Sequence, residues 1–199
     1  MTHARLASLA AIALLLAGCA AAPVVAPTPA VRTPDPESLS QWIAKGRIAL
    51  SAQGEGGSGS FVWQQRSERT EISFRGPLGA GGLRIVTDGA DIELTDAEGR
   101  VLDGEAARQA LEQRLGSALP LADLRYWMLG LPTPEATGGT ATLLPTGVKG
   151  SAGFRQREWE VTYQEFRPVA GWSLPVKLNA AAADMRVRIV VDDWQLPAP

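Results

Sequence analysis

From Trp42 onward, apolar side chains recur at every second position in a series of short runs. In the run WIAKGRIALSA, Trp42, Ile48 and Leu50 occupy one set of alternate positions, while Lys45 and Arg47 occupy the other. Successive side chains of a β-strand point to opposite faces of a sheet, so each run predicts a strand with one buried and one solvated face. Turn sequences such as GEGGSG, GPLGAGG and DAEG separate the runs. We therefore predict a large antiparallel sheet with one apolar face, strongly curved or closed into a barrel.

The strand pattern is interrupted between residues 103 and 131. In the segment EAARQALEQRLG, apolar residues recur at helical spacing, and Gly116 is placed to end the helix. Pro120 suits the first turn of a second helix, which carries Leu124, Trp127 and Met128. Two short amphipathic helices between two groups of strands bury their apolar sides best against the concave apolar face of the sheet. The fold class is therefore mainly β with two short helices across that face.

Two uses of the apolar face stay open on the residues alone. A packed core is the more common arrangement, but the same residues can line a cavity that the helices cover. Periodicity shows which side chains share a face and does not measure the volume between them.

The amino-terminal segment has the layout of a secretory signal peptide. Arg5 precedes the apolar run LASLAAIALLLA, which is too short to cross the roughly 30 Å hydrocarbon core of a bilayer. The run ends in Leu16-Ala17-Gly18-Cys19, which resembles the bacterial lipobox. The resemblance implies cleavage before Cys19, a diacylglycerol on its sulfur and an acyl group, palmitate, on its new amine. The alternative is an ordinary signal peptide with a chance cysteine.

These features predict three regions. Residues 1–18 form the lipoprotein signal peptide, residues 19–38 hold the lipidated cysteine and a proline-rich tether, and residues 39–199 form the folded domain. The nineteen residues after the cysteine, extended at about 3.1 Å each, would hold the domain up to roughly 60 Å from the membrane.

The remaining composition argues against several classes of site. Signal cleavage would remove His3, the single histidine, and acylation would use the single cysteine. The mature chain would then lack the usual ligands of zinc, copper and haem and the usual nucleophile–base pairs of hydrolases. The acidic residues show no pair spaced for glycosidase chemistry. We predict no catalytic residue, no metal site and no cofactor, and hence no enzyme. The chain has 21 acidic and 19 basic residues and no Lys/Arg block, so we predict no nucleic-acid partner.

A set of short motifs behind the lipobox resembles the LolB family, the outer-membrane lipoprotein receptors of Gram-negative bacteria. In order along the chain the motifs are KGRIAL, GSFVWQQ, GPLG, LRYWMLGLP, WEVTY, LPVKL and RVRIVVDDW. The resemblance spans roughly residues 42–196, and LRYWMLGLP is its most specific part. It implies an incomplete, open antiparallel β-barrel with a helical lid over an apolar cavity for acyl chains.

The resemblance also implies a function and a location. Acylated lipoproteins would be received from the periplasmic carrier LolA and inserted into the outer membrane by a monomer that is lipid-anchored on the periplasmic face of that membrane. No nucleotide-binding GxxxxGK(S/T) motif occurs, so the transfer would run downhill in affinity from carrier to receptor to bilayer.

The expected site residues fall into two groups. We expect the acyl-chain cavity to be lined by Ile48, Leu50, Phe61, Trp63, Ile72, Phe74, Leu83, Ile85, Leu124, Trp127 and Met128. In the family, the loop that matches RGPLGAGG presents a protruding apolar side chain that helps to deliver lipoproteins into the membrane. Leu78 is the matching position, and we expect it to act as the membrane-insertion residue.

Other interpretations remain open at the level of the sequence. The protein could carry another lipid, such as lipopolysaccharide or phospholipid, or be a structural envelope lipoprotein with a packed core and no ligand. Several arginines fall at polar-face strand positions, where we expect solvation or cross-strand pairing, with carrier docking as the alternative. They are Arg47, Arg66, Arg75, Arg84, Arg155, Arg186 and Arg188.

Overall fold

The alternating runs and three shorter strands form one continuous antiparallel sheet, which has eleven strands in the described residues. The structure is a computed structural model that describes residues 35–53, 55–77, 81–115, 119–145 and 152–197. The strands are β1 (Gln41–Ala52), β2 (Glu55–Arg66), β3 (Arg69–Arg75), β4 (Gly82–Asp88), β5 (Asp91–Asp96), β6 (Val101–Asp103), β7 (Ala141–Leu143), β8 (Ala152–Gln156), β9 (Trp159–Val169), β10 (Trp172–Ala181) and β11 (Met185–Gln195). Their order is β6-β5-β4-β3-β2-β1-β11-β10-β9-β8-β7, and the edge strands β6 and β7 do not pair with each other. The barrel is therefore incomplete, as predicted.

The centre of the sheet is β1, which pairs with β2 on one side and with β11 on the other. Its register against β11 shifts between Lys45 and Gly46, which marks a β-bulge. A Cβ atom at Gly46 would collide with the carbonyl oxygen of Val190, so only glycine allows the two strands to approach this closely. Because bulges increase the local twist, this one helps the sheet to curve around its apolar face.

In the part of the chain that the structure describes, three helices accompany the sheet: α1 (Gly104–Leu115), α2 (Leu121–Met128) and α3 (Glu135–Gly138). A 3-10 turn spans Pro36–Ser38. Helix α1 contacts β1, β5 and β6, and α2 contacts β10. These strands lie far apart in the sheet order, so the sheet must curve for both helices to reach it. The predicted helical cover is thus confirmed. None of the helices in the described ranges is long and apolar enough to cross a membrane.

Four short elements were not predicted from the sequence. All three residues of β6 are exposed and β7 is mostly exposed, so neither shows an alternation of apolar and polar residues. In β8 the inward positions are Phe154 and Gln156, and the buried glutamine hides the alternation. Helix α3 is a single turn between Pro134 and Gly139, too short for a helical period.

Buried side chains form two apolar clusters. In the larger one, Trp42 lies at the centre of an aromatic group, with its ring centroid 5.6 Å from that of Trp63 and 5.2 Å from that of Trp194. This group joins β1, β2 and β11. The smaller cluster packs the apolar side of α1 onto β4 and β5. Its buried members are Ile85, Ile92, Leu94, Ala107 and Leu111.

Two buried glutamine side chains form hydrogen bonds inside the sheet and to the segment that precedes α3. Gln65 Oε1 accepts hydrogen bonds from Trp63 Nε1 at 3.1 Å and from Thr70 Oγ1 at 2.8 Å. Gln156 Nε2 donates to the carbonyl oxygen of Thr133 at 2.7 Å, and its Oε1 accepts from the Thr133 backbone N–H at 2.9 Å. A buried amide with these partners avoids the cost of an unpaired polar group and specifies how the segment before α3 crosses β8.

The arginines of the outer face are partly paired, as the sequence suggests. Arg47 binds Asp192 at 2.9 Å, Arg84 binds Glu71 at 2.8 Å, and Arg155 binds Glu160. The hydrogen bond from Arg84 holds the pKa of Glu71 below its usual value. Each pair is solvent-exposed on at least one side, so water screens the attraction and the pair adds little to stability.

Candidate functional site

A cavity of about 620 Å³ lies between the concave face of the sheet and helices α1 and α2. The strand residues that line it come mainly from β1 to β4, with Ile189 from β11, and the helical ones are Leu111, Gln113, Arg114 and Leu124, with Leu119 between the helices. Its size is within the range of roughly 300–1,000 Å³ that small-molecule sites show. The apolar face is therefore not completely filled by its own side chains.

Nine of the eleven residues predicted for the cavity line it: Ile48, Leu50, Phe61, Trp63, Ile72, Phe74, Leu83, Ile85 and Leu124. The period-two alternation brings the strand residues to one face. Leu124 reaches the same space from α2.

Trp127 and Met128 do not line the cavity. They share a helix face with Leu124 but lie about one turn, roughly 5 Å, further along the axis of α2. At that depth both are fully buried in the larger cluster, and the Trp127 ring lies 5.3 Å from that of Trp159 on β9. The placement of the helix over the sheet, which the sequence does not specify, makes them core residues.

The exposed residues of the lining cluster at one end and form a mouth, which the sequence analysis missed. Gln53 and Glu55 reach it from the β1–β2 turn, and Gln113 and Arg114 reach it from the end of α1. At the opposite end the lining residues, such as Trp63, are buried. The sequence does contain one sign of the mouth: apolar residues give way to polar residues and glycines where β1 passes into β2.

An acidic residue connects the end of α1 to the sheet beside the mouth. Asp96, at the end of β5, accepts hydrogen bonds from the Arg100 backbone N–H at 2.9 Å and from Arg100 Nε at 2.7 Å, and Arg114 Nη2 lies 3.7 Å from its Oδ2. Desolvation by itself would raise the pKa of Asp96, but the hydrogen bonds from Arg100 hold it below its usual value. The carboxylate is thus ionised and keeps Arg114 at the rim.

Glycines in the first half of β2 leave the cavity open near the mouth. Gly57 lines the cavity, and a Cβ atom at this position would have no neighbour within 4 Å. Gly59, two residues further along the strand, differs, because a Cβ atom there would collide with the carbonyl oxygen of Arg75 and lie 2.7 Å from the ring of Phe74. The empty space thus begins where the glycine-rich segment lies opposite Leu50.

The remaining predicted site residues, Cys19 and Leu78, lie outside the described residues. In sequence, Leu78 falls in the connection between β3 and β4, whose ends are joined by a hydrogen bond from Gly76 N to Gly81 O at 3.4 Å. Antiparallel pairing of β1 to β4 puts this connection and the β1–β2 turn at the same end of the sheet, where the mouth lies. Across the described ranges, no group of three or more His, Cys, Asp or Glu side chains is arranged to hold a metal ion.

Sequence comparisons with known proteins point to one family. A family model described as outer membrane lipoprotein LolB matches residues 40–194. The outer-membrane lipoprotein LolB of Nitrosococcus oceani is 29% identical over 207 residues, covering 98% of this chain and 100% of that protein. That of Stutzerimonas stutzeri is 31% identical over 197 residues, covering 92% of each. Among solved structures, a DUF1329 family protein from Desulfovibrio piger has a similar fold, with a TM-score of 0.50 at 9% identity over 82% of this chain and 88% of that one.

Proposed function

Because this chain belongs to the LolB family of outer-membrane lipoproteins, we propose that it receives acylated lipoproteins from the periplasmic carrier LolA and inserts them into the outer membrane. In this role it holds the acyl chains of its cargo in the cavity under α1 and α2. Cys19 is its own lipid anchor, and it works as a monomer without a catalytic residue.

The observation that carries the proposal is the cavity itself. An envelope lipoprotein with a purely structural role has no need for about 620 Å³ of empty space under its helices. Moving one CH₂ group out of water is worth about 0.8 kcal/mol, so a lipoprotein with several long chains would cross an aqueous compartment at a cost of tens of kcal/mol. An apolar cavity removes that cost for the part of the chains that it encloses.

The chemistry of the lining suits cargo of variable sequence. The interior residues are apolar and the polar ones are confined to the mouth, so binding depends on hydrocarbon contact and not on particular hydrogen bonds. Such contacts are weak per atom and non-directional, which allows chains to enter and leave. The bilayer offers the same contacts in larger number, and release toward it needs no nucleotide.

The position of the mouth supports release into a membrane. The mouth and the β3–β4 connection that carries Leu78 belong to the same end of the sheet. In our proposal Leu78 enters the bilayer while the acyl chains leave the cavity beside it. The tether of residues 19–38 lets the domain reach the membrane surface from its anchor.

A titration of the chain from Ala20 to Pro199 with a fluorescent fatty-acyl probe tests the cavity. We expect saturable binding and quenching of tryptophan fluorescence, because Trp63 lines the cavity. We also expect Gly57→Phe to weaken binding by about tenfold or more, since a ring there occupies space worth at least two methylenes at ~0.8 kcal/mol each. The fold should tolerate the substitution, because a Cβ atom at this position has no neighbour within 4 Å.

The matched control is Gly57→Ala, which adds one methyl group at the same backbone position and should bind the probe nearly as well as the wild type. If the probe does not bind saturably to the wild type, or if Gly57→Phe binds it equally well, the cavity is not the acyl site.

A transfer assay then identifies the cargo. Purified LolA loaded with a lipoprotein is mixed with this protein, and transfer of the lipoprotein to it supports the receptor role. Retention on the carrier, together with uptake of phospholipid or lipopolysaccharide, supports the lipid-carrier alternative.

A further inference from the structure

A second depression, of about 480 Å³, lies on the outer face of the sheet, behind the apolar interior. Its walls carry Arg47, Arg75 and Arg188 together with the hydroxyl groups of Ser58 and Ser60, and Pro77 closes one side. All three arginines and both serines are exposed. The lining also includes Ala49 and Val190, so apolar surface lies among these hydrogen-bond donors, and the arginines add positive charge.

The strand register brings these groups together. Ser60 on β2 pairs with Arg47 on β1 and with Arg75 on β3. Ala49 pairs with Ser58 on one side and with Arg188 on the other, so Arg188 lies diagonally next to Arg47. Neighbouring strands are about 4.8 Å apart, so the backbone positions of Arg47 and Arg75 lie within roughly 10 Å of each other.

The charge at this place is poorly compensated. Arg47 binds Asp192, but in the described part of the chain Arg75 makes no ion pair, and Arg188 makes only a hydrogen bond to the amide oxygen of Asn179 at 3.2 Å. Arg186, one outward position before Arg188 in β11, also makes no ion pair with a described residue. The whole chain has a formal net charge of −2, so the positive charge is a local feature.

The depression lies at the end of the sheet that carries the cavity mouth. Arg75 is the last residue of β3, and the next two residues, Gly76 and Pro77, line the depression and begin the connection to β4. If that end faces a bilayer, the three guanidinium groups lie next to its surface. Guanidinium groups bind phosphate oxygens in pairs of parallel hydrogen bonds, and hydroxyl groups add further donors.

We propose that Arg75 and Arg188, assisted by Arg47, Ser58 and Ser60, bind the phosphates of anionic phospholipid headgroups at the membrane surface and thereby turn the cavity mouth toward the bilayer. This goes beyond the proposed function, because headgroup binding needs no cargo and uses the face of the sheet opposite the cavity. It gives the protein an orientation that an anchor at its amino terminus does not supply by itself.

The test measures binding of the chain from Ala20 to Pro199 to vesicles, so that the lipid anchor does not dominate. This form keeps every described element. We expect tighter binding to vesicles of phosphatidylcholine with phosphatidylglycerol than to phosphatidylcholine alone, and loss of the difference at high salt. Each arginine near an anionic surface contributes about fivefold to partitioning, which corresponds to ~1 kcal/mol, so Arg75→Gln with Arg188→Gln should weaken binding about 25-fold.

The matched control is Arg66→Gln with Arg69→Gln. It removes the same charge from the same face at the opposite ends of β2 and β3 and should change binding much less. Equal losses in the two double variants would show that only net charge matters, and unchanged binding of Arg75→Gln/Arg188→Gln would show that these residues do not contact the headgroups; either result overturns the proposal.

Acyl-probe titrations of the same variants separate this inference from the proposed function. We expect both double variants to bind the probe like the wild type, because none of the four arginines lines the cavity. If the variant Arg75→Gln/Arg188→Gln loses headgroup selectivity but binds the probe normally, the result supports this inference and leaves the proposed function untouched. Failure of the wild type to bind the probe while it still selects anionic vesicles affects only the proposed function.

Discussion

Single residues decide which part of the sheet interior is filled and which part is empty. Phe74 fills the space over Gly59, whereas Gly57 lies next to open space at the mouth. At the other end of the interior, Trp63 is held in place by its hydrogen bond to Gln65. The cavity is therefore bounded by well-packed aromatic residues on one side and by the absence of side chains on the other.

A buried hydroxyl in the core gives a residue-scale prediction. Tyr163 Oη donates a hydrogen bond to the backbone carbonyl of Trp127 at 3.0 Å, and burial raises the pKa of Tyr163, so the hydroxyl stays protonated. The carbonyl keeps a second donor, Gly130 N, at 3.0 Å. We expect Tyr163→Phe to lower the free energy of unfolding in urea by about 1 kcal/mol, the usual value of one buried hydrogen bond.

The comparison for this substitution is Tyr126→Phe, the same change at the other tyrosine. The hydroxyl of Tyr126 is only partly buried and accepts from Arg125 Nη2 at 2.7 Å, so its loss should cost less. Acyl-probe binding should be unchanged in both variants, since neither residue lines the cavity. A larger loss of stability in Tyr126→Phe would contradict this account of the core.

At the scale of elements, the helices cover the cavity, and we propose that a strand connection takes part in release. Helix α1 is held by Ala107 and Leu111 on its apolar side and by Arg114 next to Asp96 at its end, so it covers the cavity as a fixed part of the fold. The edge strands β6 and β7 have three residues each. Edges this short offer few free backbone groups for pairing with another chain.

The connection between β3 and β4 gives the prediction at this scale. We expect Leu78→Glu to leave acyl-probe binding intact and to block release of bound lipoprotein into liposomes, because a carboxylate does not enter hydrocarbon without a large desolvation cost. The measurement is sedimentation of labelled cargo with liposomes after transfer from LolA.

The control for the connection is Leu143→Glu on β7. Leu143 is another leucine of the domain, 77% exposed, and lies on the edge strand at the far side of the sheet. This variant should insert cargo normally. If Leu78→Glu also inserts cargo normally, the connection has no part in release.

At the scale of the whole molecule, we propose that the lipid anchor and the binding domain are separate parts of the sequence. All described strands and helices lie between residues 36 and 195, after the proline-rich segment. In our proposal the lipid on Cys19 determines where the domain works, and the cavity determines what it binds. The protein would thus carry the same modification that its cavity accommodates.

This separation predicts that the form beginning at Ala20 accepts lipoprotein from LolA as completely as the lipidated protein does. Cargo transfer between the purified proteins, followed by co-purification, measures this directly. Delivery to vesicles should become less efficient, because the unanchored form must find the membrane by diffusion. If the form without Cys19 accepts no cargo, the anchor takes part in binding.

The sequence alone determined the longer strands, the two longer helices and the composition of the apolar face. Alternation at Ile48 and Leu50, or at Phe61 and Trp63, is a local property of an extended chain, because neighbouring side chains in a strand must point to opposite faces. The helical spacing before Gly116 is local in the same sense. The order of motifs behind the lipobox was enough to identify the family.

Only the tertiary structure decided where the apolar face is filled. Trp127 and Met128 share a face of α2 with Leu124 but belong to the core. Gln113 and Arg114 reach the mouth, although nothing in the sequence around them indicates it. These outcomes depend on how far the sheet curves and where α1 and α2 cross it, which are set by contacts between residues distant in sequence. The volume of the cavity depends on the distance between the sheet and the helices that cover it, so no local pattern of residues predicts it.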